Sequence, residues 1–344
     1  MASVDVTVRG AGIFGLSVAW ACVRRGARVR VIDPKGVGAG ASGGIVGALA
    51  PHVPEQWNAK KQFQLDSLLM AESWWQSVAR MAQDDPGYIR SGRVQPLGDE
   101  AAVALARQRE GTAQELWGDA AEWRVTSRPA ADFMPASPTG LIVHDTLSAL
   151  VHPRRAVTCL AKALAASGVA FESEAADEGA VVWATGWEGL EDMTRAHNRM
   201  VGAGVKGQAA LLDYKSAGAP QLFVDGLHII PHRDGTVAVG STTEREFDDP
   251  TVTDAQCDAL VARACAAVPA LVGAKVITRW AGVRPRSRSR APMLGRHPFR
   301  DGFVANGGFK IGFGMAPKVG EIMAALVLEG RDDIPPDFGV AGNL

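Results

Sequence analysis

Cysteine, tyrosine and net charge are what this chain has least of. Four cysteines stand among 344 residues, Cys22, Cys159, Cys257 and Cys265, none of them in a CxxC pair. That spacing excludes a disulfide framework and a thiolate metal centre, and no metal site is expected. Cys22 and Cys159 fall in expected amphipathic helices, where a small thiol packs as a hydrophobe. Lysine and arginine number 36 against 37 acids, a formal net charge of −1. No global field therefore draws the chain to nucleic acid or to an anionic membrane, and such a partner would need a local patch. No apolar run approaches the roughly 18 residues of a membrane span, and no charged and then apolar leader precedes the first strand. The expectation is a cytoplasmic protein. The chain has no internal repeat and no low-complexity segment, and at 47% hydrophobic residues it is long enough for a large core in two lobes.

Glycine, by contrast, is plentiful at 39 residues, and its first positions are informative. An apolar strand, Val6 to Val8, runs into Gly10-Ala11-Gly12-Ile13-Phe14-Gly15. A helix follows to a stop at Arg24-Arg25-Gly26, and a second strand, Ala27 to Ile32, delivers Asp33 and Pro34. That order of parts binds an adenine dinucleotide. Gly10 permits the tight turn, Gly12 lets the backbone approach a pyrophosphate, and Gly15 lets helix and strand pack closely. The helix N-terminus offers free N–H groups and partial positive charge to the phosphates, and Asp33 would accept the ribose hydroxyls. The same signature serves NAD and FAD, so the choice rests on the remainder of the chain.

Past this unit, Gly36 to Gly47 is small-residue backbone fitted around something. Residues 63 to 83 read as an amphipathic helix carrying Trp74 and Trp75, and 99 to 117 as a polar-faced one, with a strand at Arg93 to Pro96 between them. These interrupt a parallel βαβ series, so an insertion begins near Pro51. The dinucleotide pattern resumes at His152-Pro153, with Pro153 in the first turn of a helix that Gly168 ends. Ala180 to Gly186 follows as a buried strand closing on a Thr-Gly turn. From Lys206 to about Thr243 the pattern is antiparallel, with Leu227 to Pro231 and Thr236 to Gly240 flanking a hairpin turn at Arg233-Asp234-Gly235. The chain returns at Gly302 to Asn306, crosses Gly307 to Gly312, and enters a last helix with Pro317 near its start and Gly330 as its stop. A discontinuous nucleotide-binding domain interrupted twice to build a cap suits a flavoenzyme that roofs its isoalloxazine ring better than it suits a nicotinamide dehydrogenase.

These segments resemble the D-amino acid oxidase superfamily of FAD-dependent oxidoreductases, which includes glycine oxidases, sarcosine oxidases and D-amino acid dehydrogenases. Five segments in family order carry the likeness over nearly the whole chain: Gly10 to Gly15 with Asp33; Gly40 to Gly44 with Gly47-Ala48; Val181 to Trp187; Trp280 to Pro285 with Pro292 to Gly295; and Gly307 to Gly312 leading into the final helix. The resemblance implies an α/β fold with a discontinuous Rossmann-like FAD-binding domain of residues 1–50, 145–205 and 281–344. An inserted α+β antiparallel-sheet substrate cap of residues 51–144 and 206–280 would complete it. Ala41 and Ser42 would lie on the FAD pyrophosphate, Gly47 and Ala48 beside the isoalloxazine, and Ala184, Thr185, Gly186 and Trp187 under the dinucleotide. Ile13, Phe14, Pro34 and the run Gly307, Gly308, Phe309, Lys310, Ile311 and Gly312 would line the cofactor as well. The final helix would direct its N-terminus, near Met315 to Lys318, at the flavin N1/C2=O edge and stabilise the anionic reduced ring.

By the same resemblance Arg284, in Gly282-Val283-Arg284-Pro285, holds the substrate carboxylate with a two-pronged guanidinium fork. Its alternative is membership of a solvated run with Arg286, Arg288 and Arg290. Lys310 matches a sarcosine-oxidase lysine that faces the carboxylate, or else solvates flavin O2. His52, just past the flavin-facing glycines, is the third catalytic candidate, with a structural histidine as its alternative. Three features depart from the family. Too few residues lie between Phe171 and Val181 for the usual strand pair near the adenine. No cysteine lies near Lys310, so the FAD is expected to be non-covalent. Only Tyr88 and Tyr214 are available for the active-site tyrosines of D-amino acid oxidases.

The implied activity is oxidation of the C–N bond of a small amino acid or secondary amine by hydride transfer to flavin N5, glycine oxidase-like in the first instance. The imine then hydrolyses, and oxygen or another electron acceptor reoxidises the flavin. Two alternatives stand beside it. Ala41-Ser42-Gly43, Gly47-Ala48-Leu49 and Pro51 also resemble flavin domains of bacterial tRNA-modification enzymes that oxidise a carboxymethylamino group on a wobble base. There Arg284 to Arg290, on one side of an extended strand, would meet phosphates, although the net charge of −1 speaks against nucleic acid. A non-catalytic flavin-binding protein would need a blocked pocket. Oligomeric state stays open, a homo-oligomer included.

Overall fold

The structure, a computed structural model, describes residues 3–344. It opens with the expected βαβ unit of β1 (Val6–Arg9), α1 (Ile13–Arg24) and β2 (Val29–Ile32), the strands parallel with Val6 opposite Val29. Ile13 to Cys22 are all buried. A helix apolar on every side belongs inside a layer, and α1 lies between its own strands and helices contributed by later parts of the chain.

The first insertion follows as β3 (Ala48–Leu49), α2 (Ala59–Ala82), β4 (Arg93–Pro96), α3 (Glu100–Trp117), β5 (Trp123–Ser127), β6 (Leu141–Asp145) and β7 (Ala149–Leu150). α2 begins before residue 63 because Asn58 caps it, its side chain accepting from the Lys61 N–H at 3.1 Å. Asp99 caps α3 through the Ala102 N–H at 2.7 Å. Such caps satisfy N–H groups that the helix leaves unpaired.

The chain then returns through α4 (Pro153–Ala166), β8 (Ala170–Glu172), β9 (Ala180–Trp183) and α5 (Gly186–His197). The connection before β9 is short, as the sequence implies, and is pinned to the sheet by Arg9 on Asp177 at 2.7 Å and Arg30 on Glu178 at 3.0 Å. Next come β10 (Gly202–Asp213), β11 (Gln221–Val224), β12 (Leu227–Pro231), β13 (Thr236–Gly240), α6 (Ala255–Ala267) and β14 (Val276–Ser287). The last return is β15 (Met293–Arg296), β16 (Phe303–Asn306) and α7 (Gly312–Glu329).

Two large sheets organise most of these elements, while β3 and β7 pair with each other as a separate two-stranded ribbon. A six-stranded sheet has the order β15-β16-β9-β1-β2-β8, parallel except for β15. An eight-stranded sheet has the order β14-β10-β13-β12-β11-β4-β6-β5, antiparallel except where β11 meets β4. The α/β class with a Rossmann-like parallel sheet and an antiparallel companion is therefore present. The sequence reading builds the second sheet from the second insertion alone, whereas the β11–β4 pairing, Gln221 opposite Arg93, joins both insertions into one surface. β10 and β14 run as unbroken strands of that sheet through positions 205 and 281. Across β4 and β6, Arg93 and Asp145 form a buried ion pair at 2.9 Å, with 7% and 0% of their side chains exposed. Removing one partner of such a pair costs about 3–5 kcal/mol because the other charge stays buried.

His152, which precedes α4, and His232, which follows β12, stack across the junction of the two sheets with ring centroids 4.4 Å apart. They are 8% and 2% exposed. Burial first, and then repulsion from His152 whenever that ring is protonated, pushes His232 down to about 3, and burial also lowers His152 below 6.5. Asp234 opposes the shift at both rings, while Arg155 adds to it. Both rings are neutral when folded and take up protons near pH 6.5 when unfolded. Their contribution is thus complete above pH 6.5 and declines below it, that of His232 being lost as pH falls toward 3. Thermal midpoints measured from pH 8 to pH 4 should be level above about 6.5 and decline below it. His232→Asn should flatten the declining limb; an unchanged slope would show that these rings do not set it.

Candidate active site

A cavity of about 820 Å³ lies between the two sheets, large within the roughly 300–1,000 Å³ usual for small-molecule sites. Its floor is formed where β1, β2 and β9 end, the place at which open parallel sheets bind ligands. Gly10, Gly12, Ile13, Phe14, Asp33 and Pro34 line this end, with Ala184, Thr185, Gly186 and Trp187 beside them after the neighbouring strand β9. Gly10 has φ +113°, and a Cβ there would collide with the Ala184 carbonyl. Asp33 is fixed by two amides, accepting from Ala11 N–H at 2.8 Å and from Lys35 N–H at 2.9 Å, so its carboxylate also secures the glycine turn. Ser42 accepts from Ile13 N–H at 2.9 Å and brings Ala41 and itself against the start of α1.

Gly47 and Ala48 line the cavity as well, and a Cβ on Gly47 would run into the Val151 carbonyl. The sequence reading makes Gly47 small for the flavin's sake; the neighbouring strand requires it independently. Gly308, Phe309, Lys310 and Gly312 form part of the far wall. Gly15, Gly307 and Ile311 do not reach the cavity. Gly15 packs directly on Gly10, Gly307 lies against Ser287, and Ile311 belongs to the core.

α7 begins at Gly312, a turn ahead of the expected Met315 to Lys318, and carries Pro317 inside it. Neither α1 nor α7 is capped by the side chain of its own N-cap residue or has an acid in its first turn, although Ser42 Oγ takes the first N–H of α1. Two helix N-termini with partial positive charge therefore open on one cavity. With the glycine turn between them, these residues fit a dinucleotide: the start of α1 would take a pyrophosphate and the start of α7 would face an electron-accepting ring.

The opposite wall comes from the second sheet. Arg284 stands on β14, and its guanidinium lies over Gly207 of β10, where any Cβ would collide with it. Nη2 donates to Ser241 Oγ at 2.6 Å and Nη1 to the Thr242 carbonyl at 3.4 Å. Burial holds this arginine down to about 10. Lys310 donates to Thr243 Oγ1 at 2.9 Å, and burial together with the Arg284 charge keeps its ammonium below the usual lysine range. His228 on β12 stands opposite Gly240 in the ladder and packs on Phe223 with ring centroids 4.7 Å apart. Burial, then the charges of Arg93, Lys310 and Arg284, push it down to about 3. The ring is neutral, and its buried Nδ1 has no hydrogen-bond partner.

His52 is a correction to the sequence reading. It does not line the cavity: its N–H donates to Gln64 Oε1 at 2.8 Å, and its ring Nδ1 bonds the same oxygen. Gln64 also donates to the Ala50 carbonyl at 3.0 Å, so the first turns of α2 hold this segment away. The arginine row is a second correction. β14 ends at Ser287, Arg288 donates to the Leu344 carbonyl at 3.0 Å, and Arg290 has φ +61°, so Arg284 to Arg290 do not share one face. Gly207, Phe223, His228 and Ser241 are absent from the sequence reading. The hydroxyl run Ser241-Thr242-Thr243 at the end of a buried strand was a usable signal for one of them; the others emerge only from strand pairing. Neither tyrosine and none of the cysteines lines the cavity, and among the described residues no group of three or more His, Cys, Asp or Glu is placed to hold a metal ion.

Comparison with known proteins finds relatives of this chain. The chain is 35% identical to a glycine oxidase of Pseudomonas aeruginosa over 144 residues, 41% of this chain but only 39% of that protein. It is 24% identical to the glycine oxidase of Geobacillus kaustophilus over 361 residues, covering 94% of this chain and 92% of that one. The crystal structure of glycine oxidase from Geobacillus kaustophilus superposes with a TM-score of 0.83 at 21% identity, covering 98% of both chains, which shows a shared fold. Residues 5–326 match the family described as DAO, FAD dependent oxidoreductase, and across that length, glycine turn to final helix, the chain belongs to this family of FAD-dependent oxidoreductases.

Proposed function

We propose that this enzyme oxidises the C–N bond of a small amino acid or secondary amine, glycine oxidase-like, with Arg284 holding the substrate carboxylate. The observation that carries this reading is the setting of Arg284: a guanidinium seated on Gly207, directed by Ser241 Oγ and the Thr242 carbonyl, and facing the cavity with neutral acceptors only. A fork held in place matches a carboxylate with two parallel hydrogen bonds. Segments of the first sheet would hold FAD, and the second sheet would cover it and supply the substrate wall.

When bound, FAD supplies a two-electron acceptor that takes hydride from the carbon next to nitrogen; the imine product then hydrolyses in water. Gly10, Gly12 and the start of α1 would receive the pyrophosphate, Asp33 the ribose, and the start of α7 the electron-accepting ring. Arg284 fixes the carboxylate and thereby the position of the neighbouring carbon, which is most of what such a transfer asks of a protein. Oxygen or another acceptor would take the electrons onward.

Three results are expected. Acid precipitation of the purified protein should release FAD into the supernatant, because no cysteine lines the cavity; flavin left on the pellet would refute non-covalent binding. Asp33→Ala should raise the FAD dissociation constant about tenfold or more, since a charge-assisted hydrogen bond is worth about 1.5–3 kcal/mol. Arg284→Lys should lower turnover of the best amino-acid substrate by about a hundredfold, as misplacement of the reacting carbon by one ångström does. Arg284→Ala should lower it further, with FAD content unchanged in both. The carboxylate role fails if kcat/KM of Arg284→Ala stays within about threefold of wild type, a loss below 1 kcal/mol.

A further inference from the structure

Five basic side chains, Arg9, Lys35, Arg284, Arg300 and Lys310, line the cavity, and they divide into two groups. Arg9 is paired with Asp177 at 2.7 Å, Lys35 with Glu188, and Arg300 with Asp192 at 3.9 Å. These three lie at the end where β1, β2 and β9 finish, Arg300 resting over Trp183 at 4.6 Å. Arg284 and Lys310 occupy the other end and make their hydrogen bonds to Ser241 Oγ, the Thr242 carbonyl and Thr243 Oγ1, all uncharged. The acid whose charge reaches Arg284 is Glu244. Its carboxylate is engaged elsewhere, 3.8 Å from the Lys206 ammonium and accepting from Gln208 Nε2 at 3.2 Å and from the Thr242 hydroxyl.

The two cations are thus anchored on three consecutive residues, 241 to 243, and neither forms an ion pair, Glu244 reaching Arg284 only through its charge. Held on one short segment, their like charges oppose one another, and the Arg284 charge is one of the causes that lower Lys310. A ligand with a single carboxylate neutralises one of them. Beside them His228 stands opposite Gly240, neutral, with its buried Nδ1 unpartnered. Every other lysine or arginine of the cavity has an acid of its own, so this is the end at which an anionic ligand meets cations free of an ion pair.

We infer that the substrate is an amine carrying two carboxylates, an amino- or imino-dicarboxylate, with one carboxylate on Arg284 and the second on Lys310. This rests on the reading of the cavity as an amine-oxidising site and names the substrate class of that site. The chemistry is the same in either arrangement: a C–H bond next to nitrogen breaks, hydride goes to the FAD of the holoenzyme, the C=N bond forms, and water releases the carbonyl product. The second carboxylate can be borne on the nitrogen side, as in N-carboxymethylglycine, or on the carbon side, as in aspartate.

Binding separates the proposal from chemistry. Holoenzyme titrated by calorimetry with the unreactive acids glutarate and butyrate should bind the dicarboxylate at least about tenfold more tightly, the value of one added charge-assisted hydrogen bond. Added salt should narrow the gap. Lys310→Met should collapse the glutarate-to-butyrate ratio to within about threefold, Lys310→Arg should retain it, and Arg284→Met should weaken both ligands, as expected when one charge-assisted contact is removed or kept. Turnover of N-carboxymethylglycine, D-aspartate, L-aspartate, glycine and sarcosine then identifies the side that bears the second carboxylate. A dicarboxylate should lead in kcat/KM, and Lys310→Met should erase the lead through KM. The inference is overturned if glutarate and butyrate bind alike, if glycine or sarcosine is the best substrate, or if Lys310→Met lowers kcat equally for one-acid and two-acid substrates, the signature of a lysine that serves the flavin. Those results leave amine oxidation itself standing. Failure of every amine to reduce the bound flavin would overturn both readings.

Discussion

The cavity depends on a close crossing of backbone at the ends of three parallel strands. Gly10 meets the Ala184 carbonyl, Gly15 packs on Gly10, and Asp33 ties the turn down through the amides of Ala11 and Lys35. A side chain at Gly10 or Gly15 would push β1 away from β9 or α1 away from its own turn. With the crossing intact, α1 and α7, which pack against each other, both direct their N-termini at the same space. The binding potential for an anionic, electron-accepting ligand is thus a property of backbone placement before any charged side chain is added.

The second sheet supplies what the first cannot. Strand pairing sets Arg284 of β14 against β10, seats its guanidinium over Gly207, and brings the end of β13 beside it, so that Ser241 and Thr242 receive its donors. β12 then adds His228 from the next position in the ladder. None of these residues is near another in the chain except through the hairpin, and their meeting is a consequence of register, since a slip of one residue would turn each side chain to the opposite face. α6 packs on the other face of the sheet through Cys257, Leu260 and Ala264, holding it rigid where it faces the cavity.

The first sheet was largely legible in the sequence because its signals are local. A glycine turn, an acid at the end of the second strand, Pro153 opening a helix and Gly168 closing it act within a few residues of one another. β12 and β13 were legible for the same reason, their Asp-Gly turn lying between two apolar runs. By contrast β5 and β6 were not read, and the contribution of the first insertion to the larger sheet was invisible, because the pairing of Arg93 with Gln221 joins residues far apart in the chain.

The site divides along the same line. The sequence by itself determined the family, and it singled out the glycine turn, Arg284 and Lys310, since each lies in a short motif whose geometry is local. Tertiary structure alone decided that His52 is held off by Gln64, that Arg286, Arg288 and Arg290 do not extend the row begun by Arg284, and that Gly207, Ser241 and His228 build the wall around it. The physical reason is that a side chain's partners are set by strand register and by the packing of distant segments. Which cations keep an acidic partner and which are left to a ligand is a property of the assembled sheet and of no single stretch of chain.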